Sequence, residues 1–204
     1  MRATIICGGG ITDYNYIADQ IKEDDIIICA DSGYDHAVKM QIKVDLLVGD
    51  FDSISEIPTE VKNIQYPTRK DQTDVEIALD HARNMGFSEF LLLGATGSRI
   101  DHTLTNIMIL KDCMSRGEHS TIVDEHNKIM ITDSRISIHE TKGDIISLIP
   151  ITDCFGVTTK DLEYSLQKAT LYMGKGLSVS NIMLKDSAHI EVEEGILLVV
   201  VAKD

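Results

Sequence analysis

A change of pattern near residue 118 limits what this chain can fold into more than any other feature. Before it, short apolar runs at 3–7, 26–30, 46–48, 64–67 and 90–93 alternate with helix-spaced segments. Tyr14, Ile17, Ala18 and Ile21 fall at helical spacing, and a short helix is expected over 34–40. An amphipathic helix over 72–85 carries Val75, Ile77, Ala78, Leu79 and Ala82, with Gly86 placed as its C-terminal cap. A further helix runs from about Asp101 to Arg116, with Leu104, Ile107, Met108 and Met114 expected as its buried stripe. Continuous apolar strands separated by helices predict a mostly parallel, Rossmann-like sheet flanked by helices.

After residue 118 the helical spacing stops. Strand-like stretches recur at 121–123, 128–132, 136–139, 145–149, 156–159, 169–173, 178–183, 189–192 and 196–202. Turn residues such as Lys142-Gly143-Asp144 and Glu194-Gly195 separate them. This pattern predicts a β-sandwich. The expected fold class is therefore α/β followed by all-β, with an α/β domain over 1–118 and a β-sandwich over 119–204, joined without a disordered linker.

The chemistry is expected to begin at VDLLVGDFDS, residues 44–53. The apolar run Leu46-Leu47-Val48 ends at Gly49, and Asp50 and Asp52 follow with Phe51 between them. On an extended backbone, alternate residues share a face about 6.6 Å apart, so both carboxylates would point the same way. Two carboxylates at ~4 Å repel by about 4 kcal/mol at an effective dielectric near 20. A helix N-terminus returns only about 1 kcal/mol, whereas a divalent cation offsets the whole. An isolated acidic pair reads more readily as a solvated turn, so the weight falls on its company.

That company lies at the same edge of the predicted sheet, where open α/β folds bind ligands. Asp31 ends the second strand. KDQTD, residues 70–74, enters the amphipathic helix; Asp71 or Thr73 suits its N-cap, and Asp74 would add a carboxylate to a magnesium site with Asp50 and Asp52. GATGSRID, residues 94–101, joins a strand to a helix, as phosphate-binding turns do, and Arg99 can meet phosphate oxygens in bidentate fashion. No GK[ST] follows, so this is not a P-loop, and Gly8-Gly9-Gly10 is no dinucleotide fingerprint and reads as a turn. The histidines show no HExxH arrangement; His36, His81 and His102 fall in helical stretches. These residues together point to a magnesium-dependent enzyme acting on a nucleotide or another polyphosphate.

Bulk composition narrows the partners. The chain has 204 residues, with 33 acidic against 19 basic residues and a formal charge of −14. Such a surface repels nucleic acid and favours a cationic small molecule. The four cysteines, Cys7, Cys29, Cys113 and Cys154, show neither CxxC nor zinc spacing. No apolar stretch approaches the ~20 residues of a membrane span. With no signal-like segment before the first strand, a cytoplasmic location is expected.

The assembled motifs resemble thiamin pyrophosphokinases. They are GDFDS (49–53), KDQTDVEIAL (70–79) and GATGSRIDHTLTN (94–106), with ADSG (30–33), SLIP (147–150), LEYSL (162–166) and SVSN (178–181) in support. The resemblance implies an α/β nucleotide-binding catalytic domain, a thiamin-binding β-sandwich and a homodimer whose active site lies at the subunit interface. It implies transfer of pyrophosphate from ATP to the hydroxyl of thiamin, giving thiamin diphosphate and AMP. Carried over by motif, Asp50, Asp52 and Asp74 would hold Mg2+. Asp31, Gln72, Thr73, Gly97, Arg99 and Asp101 would line the ATP site. The motifs do not identify a base for the thiamin hydroxyl proton: Asp101 and Asp74 are candidates, and a loose transition state needs little base help. Tyr164 would stack on thiamin beside Ser178, Ser180 and Asn181. Ser32 and Ser98 stand where the family often has glycine, and would crowd the ligand if those positions need positive φ.

Two other readings share the acidic pair. A haloacid-dehalogenase-like phosphatase would use Asp50 as nucleophile and Asp52 as acid–base partner, but it leaves KDQTD and GATGSRID unused. A non-catalytic metal- or nucleotide-binding module would bind without turnover.

Overall fold

The computed structural model describes residues 1–203. The chain divides into a unit over Met1–Glu125 and a second from His126 onward. The division falls after the strand expected to open the β half, because that strand extends the parallel sheet of the first unit.

The first unit runs β1 (Ala3–Ile6), α1 (Tyr14–Ala18), β2 (Ile26–Ala30), α2 (Gly33–Met40), β3 (Leu46–Gly49), β4 (Asn63–Gln65), α3 (Asp74–Asn84), β5 (Glu89–Leu93), α4 (Ile100–Ser115) and β6 (His119–Val123). The strands lie in the order β6-β5-β1-β2-β3-β4, every pair parallel. The chain thus builds outward from β1 to β4, then returns to β1's other side with β5. That reversal creates a crevice beyond the carboxyl ends of β1 and β5.

Strand alternation sorts the core. Ile6, Ile27, Cys29 and Leu47 pack with Ala37 of α2, Val44 and Phe51. Ile5, Ile28 and Leu46 share one register row on the other face, and α3 packs on β1, β2 and β3. Thr73 is the N-cap of α3: its hydroxyl accepts from the Glu76 amide while the Glu76 carboxylate accepts from the Thr73 amide. This reciprocal box starts the helix at Asp74 rather than 72, and leaves Asp71 outside it.

Helix α4 is turned relative to the expected stripe. Asn106, Ile109, Leu110 and Cys113 are buried, at the i, i+3, i+4, i+7 spacing of one face. Leu104 is 54% exposed, Met108 is also exposed, and Ile107 and Met114 are half-buried. The helix carries apolar residues on two sides, and a polar residue decides between them. The Asn106 amide donates to the Ala95 carbonyl at 2.7 Å, so the inward face includes an asparagine that a hydrophobic count discards.

The second unit is a sandwich of two antiparallel sheets. One runs β12 (Asn181–Ile182), β9 (Ile145–Pro150), β14 (Leu197–Ala202), β7 (Asn127–Thr132); the other runs β11 (Ala169–Leu171), β10 (Cys154–Lys160), β13 (Ser187–Glu191), β8 (Arg135–His139). Met130, Ile146, Leu148, Val199 and Val201 from the first sheet pack with Ile138, Val157, Leu171 and Ile190 from the second. The strand expected over 178–183 shrinks to two residues. Ser178 bonds Leu148 through both carbonyl and hydroxyl, and Ser180 adopts a left-handed φ of 59°, which breaks the ladder.

The phase of α4 is testable by stability. Leu110→Ala should cost about 2–5 kcal/mol, the range for truncating a buried leucine. Leu104→Ala should stay within about 0.5 kcal/mol of wild type. Equilibrium urea unfolding measures both, and equal losses would contradict the observed face.

Candidate active site

Two glycine-bearing loops close over the crevice at the strand reversal. The Cys7 amide donates to Leu93 O at 2.8 Å, Gly9 N–H to Gly94 O at 2.7 Å and Gly10 N–H to Thr96 O at 3.0 Å. A Cβ on Gly9 would run into the carbonyl oxygens of Gly94 and Thr96, so the approach requires glycine there. Gly8-Gly9-Gly10, expected as a plain turn, thus forms one wall of a cleft of about 500 Å³. Asp31, Asp74, Gly97, Arg99 and Asp101 line the same cleft. So do Thr105 and Asn106 of α4, whose N-cap, Arg99, makes no side-chain bond to the first-turn amides.

The loops are pinned from behind. Thr96 Oγ1 donates to Asp124 at 2.8 Å, and the Gly97 amide meets Thr103 Oγ1 at 3.2 Å. His36 Nε2 lies 2.7 Å from Gly9 O, which can only accept, so Nε2 carries the proton and Nδ1 accepts from the Tyr14 hydroxyl at 3.0 Å. Burial, chiefly, pushes the His36 imidazole below its ordinary pKa, in the direction that favours the neutral ring this role uses. Sequence reading missed His36, Asp124 and the glycine triplet, because each acts on a loop that is distant in sequence.

Aspartates from two strand ends converge at the rim. Asp31 follows β2 with a left-handed φ of 48°, and Phe51, between Asp50 and Asp52, has φ 65°. The expected extended backbone through GDFDS is therefore corrected to a turn. Phe51 swings into the core beside Ile6 and Leu47, its amide donates to Asp31 Oδ1 at 3.1 Å, and the Asp52 amide meets Asp50 Oδ1 at 3.3 Å. The turn still gathers the acids: Asp31, Asp50 and Asp52 each offer an oxygen within 4.8 Å of the others.

Asp74 is engaged differently. Its Oδ1 is buried and makes no well-directed hydrogen bond, yet Lys70 Nζ stands 2.9 Å away, so the contact is an off-axis ion pair. Lys70 also lies 3.9 Å from Asp50 Oδ2. Burial first, then the charges of Asp74 and Asp50, push the Asp31 carboxyl above its usual range; amides of Ser32 and Phe51 return part of this. Burial also pushes Asp50 up, but the Asp52 amide, Lys70 and the Thr68 hydroxyl outweigh it and hold Asp50 low. A rim of close carboxylate oxygens, one of them strained by its neighbours' charge, fits a hard divalent cation.

The remaining expected residues fall into separate settings. Gln72 is exposed and donates to Asp80 at 2.8 Å, and the Thr73 hydroxyl is engaged in the helix cap. Arg99 forks onto Asp101 at 2.9 and 2.6 Å, both side chains exposed, and its guanidinium holds the Asp101 carboxyl far below the usual range. While that fork persists, Asp101 is a weak base. Ser32 has φ −60° and Ser98 is not left-handed, so neither position demands glycine; the missing side chain of Gly8 leaves room for Ser32 Oγ.

In the second unit Tyr164 is 67% exposed and not a core aromatic. Buried Asn181 grips it from both sides: Oδ1 accepts from the Tyr164 amide at 3.0 Å, and Nδ2 donates to the Tyr164 carbonyl at 2.8 Å. The Ser178 hydroxyl is buried on Leu148 O, whereas Ser180 is exposed, its amide held by Ser147 Oγ at 3.0 Å.

Comparison with known proteins then decides the family. The profile for the thiamin pyrophosphokinase catalytic domain matches residues 17–123, and that for the thiamin pyrophosphokinase vitamin B1 binding domain matches residues 133–197. This chain belongs to the thiamin pyrophosphokinase family. The thiamine pyrophosphokinase of Bacillus subtilis (strain 168) is 30% identical over 167 residues, 76% of this chain and 77% of its own. A crystal structure of thiamine pyrophosphokinase from Bacillus subtilis matches with a TM-score of 0.91 at 25% identity over the whole of both chains. That of thiamin pyrophosphokinase from Geobacillus thermodenitrificans matches at 0.86 and 25%, over all of this chain and 98% of its own. The Candida albicans enzyme, 17% identical, shares the fold at 0.78 over 99% of this chain and 89% of its own. The chain is thus a thiamine diphosphokinase-type enzyme. The phosphatase reading is set aside, since Asp50 and Asp52 fall inside the matched catalytic domain of a different family.

The raised Asp31 carboxyl predicts a signed pH effect. An acid whose folded pKa is raised costs nothing below the ordinary carboxylate range, and its penalty grows as pH rises through the raised value. Asp31→Asn should therefore be more stable than wild type at neutral pH in the presence of a chelator, with the difference vanishing in acid. Urea unfolding at both pH values checks this; a constant difference would contradict it.

Proposed function

We propose that this enzyme transfers the terminal pyrophosphate of ATP to the hydroxyl of thiamin, with Mg2+, in a homodimer. The observation that carries this reading is the meeting of Asp31, Asp50 and Asp52 at the mouth of a glycine-walled cleft. In the reaction the thiamin hydroxyl oxygen bonds to the β-phosphorus of ATP and releases its proton to solvent, the bond from that phosphorus to the α-β bridging oxygen breaks, and AMP leaves. Asp50 and Asp52 would hold the cation with Asp31, and Asp74 from the start of α3. A bound Mg2+ supplies charge neutralisation for the phosphoryl oxygens.

The chain's own groups do the positioning. Gly97, with no side chain, lets phosphate come close to the backbone of the cleft wall, and Arg99 has a fork that fits phosphate oxygens once it leaves Asp101. In thiamin binding, Tyr164 offers an exposed ring to a cationic thiazolium or pyrimidine, with Ser180 beside Asn181 on the same segment. Asn181 and Ser178 serve by fixing that segment. Tyr172, Met173, Leu177, Val179 and Leu184 are also exposed there. An apolar surface of that kind suits burial against a second copy, whose α/β unit would complete the thiamin site. Among the described residues no helix is long and apolar enough to cross a membrane.

Mixing the protein with ATP, Mg2+ and thiamin should release AMP and thiamin diphosphate; ADP as the product would sink the assignment. Asp50→Asn should lower kcat about 10²-fold or more with unchanged far-UV circular dichroism. In sedimentation the wild type should run as a dimer, and a fully active monomer would refute the shared site.

A further inference from the structure

Lys70 is the group at the rim that the reaction leaves without a task. Its side chain is 14% exposed, and it reaches two acids from different loops: Asp74, which opens α3, at 2.9 Å and Asp50, which follows β3, at 3.9 Å. An ammonium gives up strongly bound water to sit there, so the acids must attract it. The attraction is through charge more than direction, since buried Asp74 Oδ1 has no well-aligned hydrogen bond. Asp50 belongs at once to this pair and to the set formed with Asp31 and Asp52. Lysine and a divalent cation therefore draw on the same negative charge.

We propose that Lys70 is a resident counter-ion of the rim: it holds Asp50 and Asp74 together in the cation-free protein and weakens the rim's hold on a free divalent cation. The inference rests on the cation-site reading above. It assigns Lys70 a tuning and positioning role, separate from contact with substrate. A unit positive charge 3.9 Å from an oxygen of Asp50, one of the acids that would hold the ion, opposes a divalent cation strongly enough, even at an effective dielectric near 20, to change affinity about tenfold or more.

The test is calorimetric titration of Mn2+ alone, without nucleotide or thiamin, into chelator-treated wild type, Lys70→Met, Lys70→Gln and Lys70→Arg. The two neutral variants should bind Mn2+ about tenfold or more tightly than wild type, and Lys70→Arg should match wild type. Neutral variants that bind as wild type does, or more weakly, with native far-UV circular dichroism would overturn the proposal. Asp50→Asn provides the reference for the site itself. If wild type binds no Mn2+, or Asp50→Asn binds it equally well, the cation-site reading fails and this inference with it. If Asp50→Asn loses Mn2+ while the lysine variants show no change, the lysine inference alone fails.

Discussion

The main-chain clasp between the ends of β1 and β5 is the constraint on which the rest depends. Three amide-to-carbonyl bonds, from Cys7, Gly9 and Gly10, tie the segment after β1 to Leu93 at the end of β5 and to the loop that follows it. Parallel strands whose order reverses would otherwise leave an open groove with unpaired backbone groups. Here those groups satisfy one another, and the side-chain-free strip that results can lie against a bulky anion. His36, Asp124 and Asn106 brace this clasp, each through a hydrogen bond to a loop main chain or hydroxyl.

The rim illustrates a second balance. Asp31, Asp50, Asp52 and Asp74 are crowded by design of the backbone, since two of the turns that gather them place non-glycine residues in left-handed conformations at Asp31 and Phe51. Such conformations are uncommon for a bulky residue, and burial of the Phe51 ring holds this one in place. Apolar packing on one side of the sheet end thus sets the spacing of charges on the other. Lys70 supplies the compensating charge that the carboxylates cannot give each other.

Much of this was legible in the sequence. Alternation of apolar runs and helical spacing gave the parallel sheet, and the shift to turn-separated strands gave the sandwich. Acidic and glycine-rich motifs at strand ends located the rim and the cleft. What escaped had a common cause: each feature depended on a partner far along the chain. The inward face of α4 was settled by Asn106 finding Ala95, the shape of GDFDS by Phe51 finding the core, and the reach of the first unit by β6 pairing with β5. Local pattern cannot register such pairings, because a residue's spacing is the same whether or not a distant carbonyl awaits it.

The grip of Asn181 on Tyr164 carries an entropic implication. Amide and carbonyl of the tyrosine are both tied to one buried side chain, so its backbone is ordered when the chain folds. A flat ring displayed on a preset main chain has only its two side-chain torsions left to freeze on meeting a flat cation. In the proposed thiamin contact, recognition would draw on rigidity already acquired, and a small ligand would need few contacts there.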